Sequence, residues 1–192
     1  MYKGIKIAIV IPCYKVSGIL NNVLKKIPNF VDNIYLVDDR CPENSVRKIK
    51  SKSRKIKKIY RKTNGGVGAA VKDGYRFSLK DNNNIIVRID GDDQMDLKLV
   101  KYFIDPIINK KAEFIKGNRF RDPNVIYRMP TFRLIGNLFL SFLTKLSTGY
   151  WELFDPTNGF IAMKSSTVKL FNLNKIDKRY FFETDILFRC SL

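Results

Sequence analysis

The chain has 192 residues, 45% of them hydrophobic, which reads as one domain with a real core. Lys and Arg total 36 against 18 Asp and Glu, and the formal charge of +18 calls for an anionic partner: nucleic acid, anionic lipid headgroups or a phosphorylated substrate. The absence of histidine excludes histidine-based triads and histidine metal sites, and three cysteines (Cys13, Cys41, Cys190) without metal-ligand spacing fit a reduced cytosolic compartment.

Met1-Tyr2-Lys3-Gly4 leads straight into a strand, with no signal peptide. Ile5 to Ile11 is the first strand, ended by Pro12-Cys13-Tyr14. Ser17 is the expected N-cap of a helix in which Ile19, Leu20, Val23, Leu24 and Ile27 recur at helical spacing. Asn33 to Val37 is a second strand, ending in Asp38-Asp39, and Pro42 is placed to open a second helix. Lys57 to Tyr60 is a third strand. Between Arg47 and Lys62 stand ten Lys/Arg and no acid. The run reads first as a solvated face with an edge strand, and second as a patch for anionic lipid at about 1 kcal/mol per basic residue. It has no interleaved aromatics and no nucleic-acid module is recognisable, so nucleic acid is not an expected partner.

Asn64-Gly65-Gly66-Val67-Gly68 feeds a helix running to about Leu79, and such a helix start can receive a phosphate. Ile85 to Ile89 is a buried strand that ends in Asp90-Gly91-Asp92-Asp93-Gln94. Ligands of open α/β sheets sit beyond the carboxyl ends of strands, where Asp90 and Asp92 project. Gly91 is expected to turn the backbone so that the two carboxylates converge. Two hard oxygen ligands one residue apart suit Mg²⁺ or Mn²⁺, although Asp-x-Asp alone reads first as a solvated acidic turn. Leu97 to Ile108 is helical, kinked or ended by Pro106, and Glu113 to Lys116 is a further strand. The alternation predicts a doubly wound α/β fold with a mostly parallel sheet and helices on both faces.

From Leu134 to Leu146, Leu134, Ile135, Leu138, Phe139, Phe142, Leu143 and Leu146 share one helical face, with Asn137, Ser141, Thr144 and Lys145 opposite. A core helix is the default expectation. Arg128, Arg133 and Lys145 around it make an interfacial membrane helix the alternative. No apolar run reaches the ~18–20 residues that span a bilayer.

Taken together, these motifs resemble the family 2 glycosyltransferases of the GT-A fold, and more narrowly the polyprenyl-phosphate glycosyltransferases of the dolichol-phosphate mannose synthase type. The resemblance is carried in order by Ile-Pro-Cys-Tyr at 11–14, Val37-Asp38-Asp39, the glycine turn at 64–68, Asp90 to Gln94, Gly117-Asn118-Arg119, Asp155 to Phe160 and Phe182-Glu183-Thr184-Asp185. Lys15-Val16 departs from the usual Asn-Glu, and relatives of this type continue past the position of Leu192, so 1–192 reads as a C-terminally shortened catalytic domain.

The resemblance implies a UDP- or GDP-sugar donor held by Pro12, Tyr14, Asp38, Asp39, Gly68, Asp90, Gly91 and Asp92. It implies a divalent metal on Asp90, Asp92 and Gln94 and acceptor phosphate on Arg119 and Arg133, while the apolar stripe with its basic neighbours and the +18 charge predict a peripheral position on the cytoplasmic face of an anionic membrane. If the acceptor is instead a saccharide hydroxyl, a carboxylate base is needed, and Asp155, Glu183 and Asp185 are the candidates. Glu183 and Asp185 are two residues apart, so a helix would not present both on one face. A non-catalytic basic membrane-binding module is the third class left open.

Overall fold

The structure is a computed structural model that describes residues 1–191, without the side chains of Asn124, Val125 and Arg128. Six strands form one sheet in the order β3-β2-β1-β4-β6-β5. They are β1 (Ile7–Cys13), β2 (Asn33–Asp38), β3 (Ile56–Tyr60), β4 (Ile85–Arg88), β5 (Phe114–Lys116) and β6 (Ile161–Lys164). β1 to β4 run parallel, and β6 lies antiparallel between β4 and β5. The mostly parallel sheet is the one the alternation of elements predicts.

Alternation along β1 divides the core in two, because successive side chains of a strand point to opposite faces. Ile7, Ile9, Ile11 and Cys13 pack with Leu20 and Val23 of α1 (Leu20–Lys26) and with Val100, Phe103, Ile104 and Ile107 of α3 (Val100–Ile108). Ala8 and Val10 pack on the other face with Ala70, Val71 and Tyr75 of α2 (Val67–Lys80). Val168 of α6 (Ser165–Leu170) and Phe182 and Ile186 of α7 (Phe182–Ser191) complete that layer. A Cβ on Gly74 would stand 2.3 Å from Val10 Cγ1, so this glycine sets how closely α2 approaches β1.

Several local expectations are corrected. The first strand does not stop at Pro12 but continues to Cys13, paired with β2. Val10 accepts the Ile89 N–H on the β4 side, and Pro12, two residues on, faces that side beyond the last β4 pair. The donor that proline lacks is therefore not needed. Ser17 does not cap the first helix: Ile19 holds the cap position, and Ser17 Oγ donates to Glu43. Pro42 opens no helix, because the segment is pinned in turns. Asp38 Oδ1 accepts the Cys41 N–H at 2.7 Å, and Arg40 and Asn44 both take positive φ. Pro106 lies inside the last turns of α3 without ending it.

Between β5 and β6 the chain forms α4 (Pro123–Arg128) and the long α5 (Thr131–Thr148). Here the default expectation is reversed. The polar residues Ser141, Thr144, Lys145 and Thr148 face inward and are buried, whereas Ile135, Leu138, Phe139, Phe142, Leu143 and Leu146 are exposed, Phe139 by 63%. Leu134 and Leu140 are half-buried. The helix ends at Gly149 in the left-handed conformation, a conformation that favours glycine. Among the described residues no helix is long and apolar enough to cross a membrane.

Candidate active site

A cleft of about 430 Å³ opens beyond the carboxyl ends of β1, β2 and β4. Pro12, Tyr14, Asp39, Asp90, Gly91 and Asp92 line it together, with Asn64, Gly66, Arg179 and Tyr180. Two departures from β-strand pairing bring the acids there. β4 ends at Arg88, two residues short of Asp90, and the turn that follows places Asp93 at φ 63°. Gly91, between the two acids, takes no positive φ and lines the cleft with them, and the left-handed Asp93 turns the chain that follows. Lys26 grips Asp93 at 2.7 Å and fixes this turn to α1.

Asp90 is held from below. Arg88 Nη2 donates to its Oδ1 at 2.6 Å, and Arg88 Nη1 lies 3.3 Å from Glu183 Oε1 on α7. The Arg88 guanidinium sits 5.2 Å from the centre of the Phe182 ring. A Cβ at position 159 would fall 1.3 Å from Arg88 Nη1, so Gly159 is the residue that makes room for this arginine. Burial raises the Glu183 pKa, against the lowering influence of Arg88 and Lys116. Burial pushes the Lys116 ammonium the other way, down to about 7, and it donates to the Asn158 carbonyl.

Asp92 makes one contact within its own turn, accepting the Gln94 N–H at 3.2 Å. The Gln94 side chain is exposed and outside the cleft lining, so the expected third metal ligand is not in place. Among the described residues no group of three metal-binding side chains occurs. With Asp39 taken up by the glycine turn and Arg61, the donor set is Asp90 and Asp92, which fits Mg²⁺ or Mn²⁺ only if a ligand such as a diphosphate completes the coordination.

Asp38 and Asp39 part company, as neighbours on a strand must. Asp38 is buried and caps the turn at Cys41, so it does not contribute to the cleft. Asp39 faces the glycine turn. Its two oxygens accept the N–H groups of Gly65 at 2.9 Å and Gly66 at 2.8 Å, and Arg61 closes the pair. The anion at this helix start is therefore Asp39, not a phosphate. Gly68 does not line the cleft either. A Cβ there would lie 2.6 Å from the Asp177 carbonyl and 2.7 Å from Phe182 Cβ, so Gly68 is needed for close packing.

The three candidate bases lie outside the cleft lining, and each is tied to an arginine. Asp155, 1% exposed and strained at φ 136°, receives Arg119 through Nε at 2.8 Å, Nη2 at 2.7 Å and the backbone N–H at 2.9 Å. These bonds raise the Arg119 pKa further. Glu183 faces Arg88. Asp185 accepts from Arg189 Nε at 2.9 Å and from the Asp177 N–H at 2.8 Å. Arg119 Nη2 also donates to Thr157 Oγ1 at 3.1 Å. Arg133 stands exposed in the first turn of α5 with no carboxylate partner among the described residues, and no contact joins it to Arg119. Lys145, expected beside the membrane, is buried with its ammonium 3.3 Å from the Phe154 ring centre. Arg128 lies outside the described residues in its side chain. Arg179 and Tyr180 escaped the sequence reading, although they stand just before Phe182-Glu183-Thr184-Asp185.

A mostly parallel sheet with an acidic pair at the carboxyl end of a central strand, beside a cleft bounded by the first two strands, defines a GT-A glycosyltransferase frame. Comparison with known proteins agrees: residues 8–171 match the model of glycosyl transferase family 2, and the chain belongs to that family. The UDP-N-acetylglucosamine–dolichyl-phosphate N-acetylglucosaminyltransferase of Methanococcus voltae is 30% identical over 190 residues, covering 91% of this chain and 75% of the relative. The undecaprenyl-phosphate mannosyltransferase of Micrococcus luteus is 22% identical, covering 97% and 78%. Among solved structures, glucosyl-3-phosphoglycerate synthase from Mycobacterium tuberculosis, in complex with Mn²⁺, UDP and glucosyl-3-phosphoglycerate, superposes with a TM-score of 0.73 at 17% identity. That match covers 96% of this chain and 64% of the solved one, so the chain spans less than two thirds of that neighbour's length.

Proposed function

We propose that this chain is a metal-dependent, inverting glycosyltransferase that moves a sugar from a UDP- or GDP-sugar to a polyprenyl phosphate of the dolichol type. One observation carries the reading: each of the three candidate bases, Asp155, Glu183 and Asp185, is bound by an arginine. A saccharide hydroxyl needs its proton removed, and the one cleft acid with no ion pair among the described residues, Asp92, is the one this reading gives to the metal. A phosphate monoester oxygen is already anionic near neutral pH and needs only to be positioned. The relatives named for dolichyl and undecaprenyl phosphates support the same acceptor class.

In this scheme Pro12 and Tyr14 flank the base, and Asp39 fixes the glycine turn that bounds the nucleotide. Asp90 and Asp92 would hold Mg²⁺ or Mn²⁺, which when bound offsets the charge growing on the diphosphate. Arg119, anchored by Asp155, and Arg133 bind the acceptor phosphate. The attacking oxygen bonds to the anomeric carbon from the face opposite the donor oxygen, the carbon–oxygen bond to the diphosphate breaks, and the nucleoside diphosphate leaves with that electron pair. The test is transfer of labelled sugar from UDP- and GDP-sugars to a short-chain polyprenyl phosphate or to an oligosaccharide. Label in the lipid is the expected result. Label in the oligosaccharide alone would make the enzyme a hydroxyl-acceptor transferase.

The exposed apolar face of α5, with Arg133 at its start, is the surface proposed to rest on the cytoplasmic leaflet. Vesicle co-sedimentation should favour anionic over neutral lipid and weaken as salt rises, because exposed charges are screened within about 10 Å at 0.1 M. A Phe139→Glu/Phe142→Glu variant should lose most of the binding and keep its melting temperature, since both rings are already in solvent. Unchanged sedimentation of that variant would remove α5 as the contact.

A further inference from the structure

We propose that Arg179 binds the diphosphate of the donor, which makes it a donor-site residue that no motif assigns. The inference rests on the nucleotide-sugar reading above and extends it. Among the described residues Arg179 is the only basic side chain lining the cleft, which it shares with Asp90 and Asp92. It also differs from the other arginines around the site. Arg61, Arg88, Arg119 and Arg189 each hold a carboxylate, and Arg179 has no ion pair among the described residues. A guanidinium left without an acid, at the wall of a cleft that carries three carboxylates, is ready for an anionic ligand with at least two oxygens.

The backbone around it is built to hold that position. The Lys178 carbonyl accepts the Ala69 N–H at 2.9 Å, at the start of α2. Asp177 Oδ1 accepts the Arg179 N–H at 2.7 Å, and the Asp177 N–H donates to Asp185. The glycines of the 64–68 turn fit the same segment. A Cβ on Gly66, at φ 91°, would lie 2.8 Å from the Lys178 carbonyl and 3.0 Å from Arg179 Cγ. The glycine turn thus seats the 177–180 segment and delivers Arg179 to the cleft. An anionic ligand is then gripped by Arg179 and not by the helix start, whose glycine N–H groups Asp39 already occupies.

Calorimetric titration of the full chain with UDP, GDP, UMP and GMP in Mn²⁺ tests this. Wild type should bind one of the diphosphates. Arg179→Ala should weaken that binding about 10- to 100-fold, the range of a charge-assisted hydrogen-bonded contact. It should leave the matching monophosphate within about twofold and the melting temperature unchanged, because the guanidinium makes no ion pair among the described residues. Arg179→Lys should recover only part, since lysine lacks the planar fork. Diphosphate binding by Arg179→Ala equal to wild type would overturn the inference while leaving the donor reading standing. Loss of short-chain polyprenyl phosphate binding with diphosphate binding intact would also overturn it, assigning Arg179 to the acceptor. No diphosphate binding by wild type would overturn the donor reading itself, and the inference with it.

Discussion

Arg88→Met is expected to lower the unfolding free energy by about 3–5 kcal/mol, the cost of stripping a buried charge of its partner. Arg88 is 2% exposed and sits under the site between two acids, Asp90 at 2.6 Å and Glu183 at 3.3 Å. Asp90 keeps access to water at the cleft wall. Glu183, 6% exposed, does not, and burial already disfavours its charge. At about 2–4 °C per kcal/mol for a chain of this size, the melting temperature should fall by about 6–20 °C. The pair, rather than the arginine alone, is the relevant unit. Arg88→Met combined with Glu183→Leu should regain more than half of the loss, because two apolar side chains need no counter-charge. Gly159→Ala approaches the same pair from outside, since the new methyl must displace Arg88 Nη1. Urea unfolding of wild type and the three variants decides the matter. A single Arg88→Met variant within 1 kcal/mol of wild type would show that the Arg88–Glu183 contact carries little of the fold.

The parallel part of the sheet was legible in the sequence, whereas the antiparallel β6 was missed, and the reason is simple. β1, β2 and β4 are covered on both faces, so their apolar runs are continuous and bounded by Pro, Asp and Gly. The acidic pair was legible because it follows such a strand directly. What stayed hidden depends on partners far along the chain. The glycine turn at 64–68 carries the signature of a phosphate loop, yet its partner is the 177–180 segment more than 100 residues away. Arg119 and Asp155 read as two separate functional residues, and 36 positions of chain conceal that they bind each other. Asp38 and Asp39 were read alike, although a period of two sends them to different places. The stripe on α5 shows a different limit. Helical period reveals that one face is apolar and one polar, but not which of them turns toward the protein. Here the inward face is the polar one, with Thr144 and Thr148 bonding back into their own helix at 2.8 and 2.7 Å.

Asp92→Asn is expected to lower sugar transfer by about 10²–10³-fold, the usual cost of removing one preorganised electrostatic contact from a developing charge. Of the Asp90 and Asp92 pair, Asp92 is the clean probe. Asp90 is tied to Arg88, so changing it disturbs the buried network as well as the site. Asp92 accepts one hydrogen bond, from the Gln94 N–H at 3.2 Å, which the carbonyl oxygen of asparagine can accept equally well. The substitution keeps shape and turn, removes one negative charge and weakens a hard oxygen ligand. Its melting temperature should therefore match wild type. Since Gln94 is off the cleft, only Asp90 and the donor phosphates are left to hold the cation, and Mn²⁺-dependent UDP or GDP binding should weaken in parallel with transfer. Wild type should itself bind Mn²⁺ weakly without nucleotide, because two carboxylates leave most of the coordination shell to other ligands. Full transfer by Asp92→Asn would sink the assignment of this pair as the metal site. Retained Mn²⁺-dependent binding with transfer lost would instead place Asp92 at the reacting sugar rather than on the diphosphate.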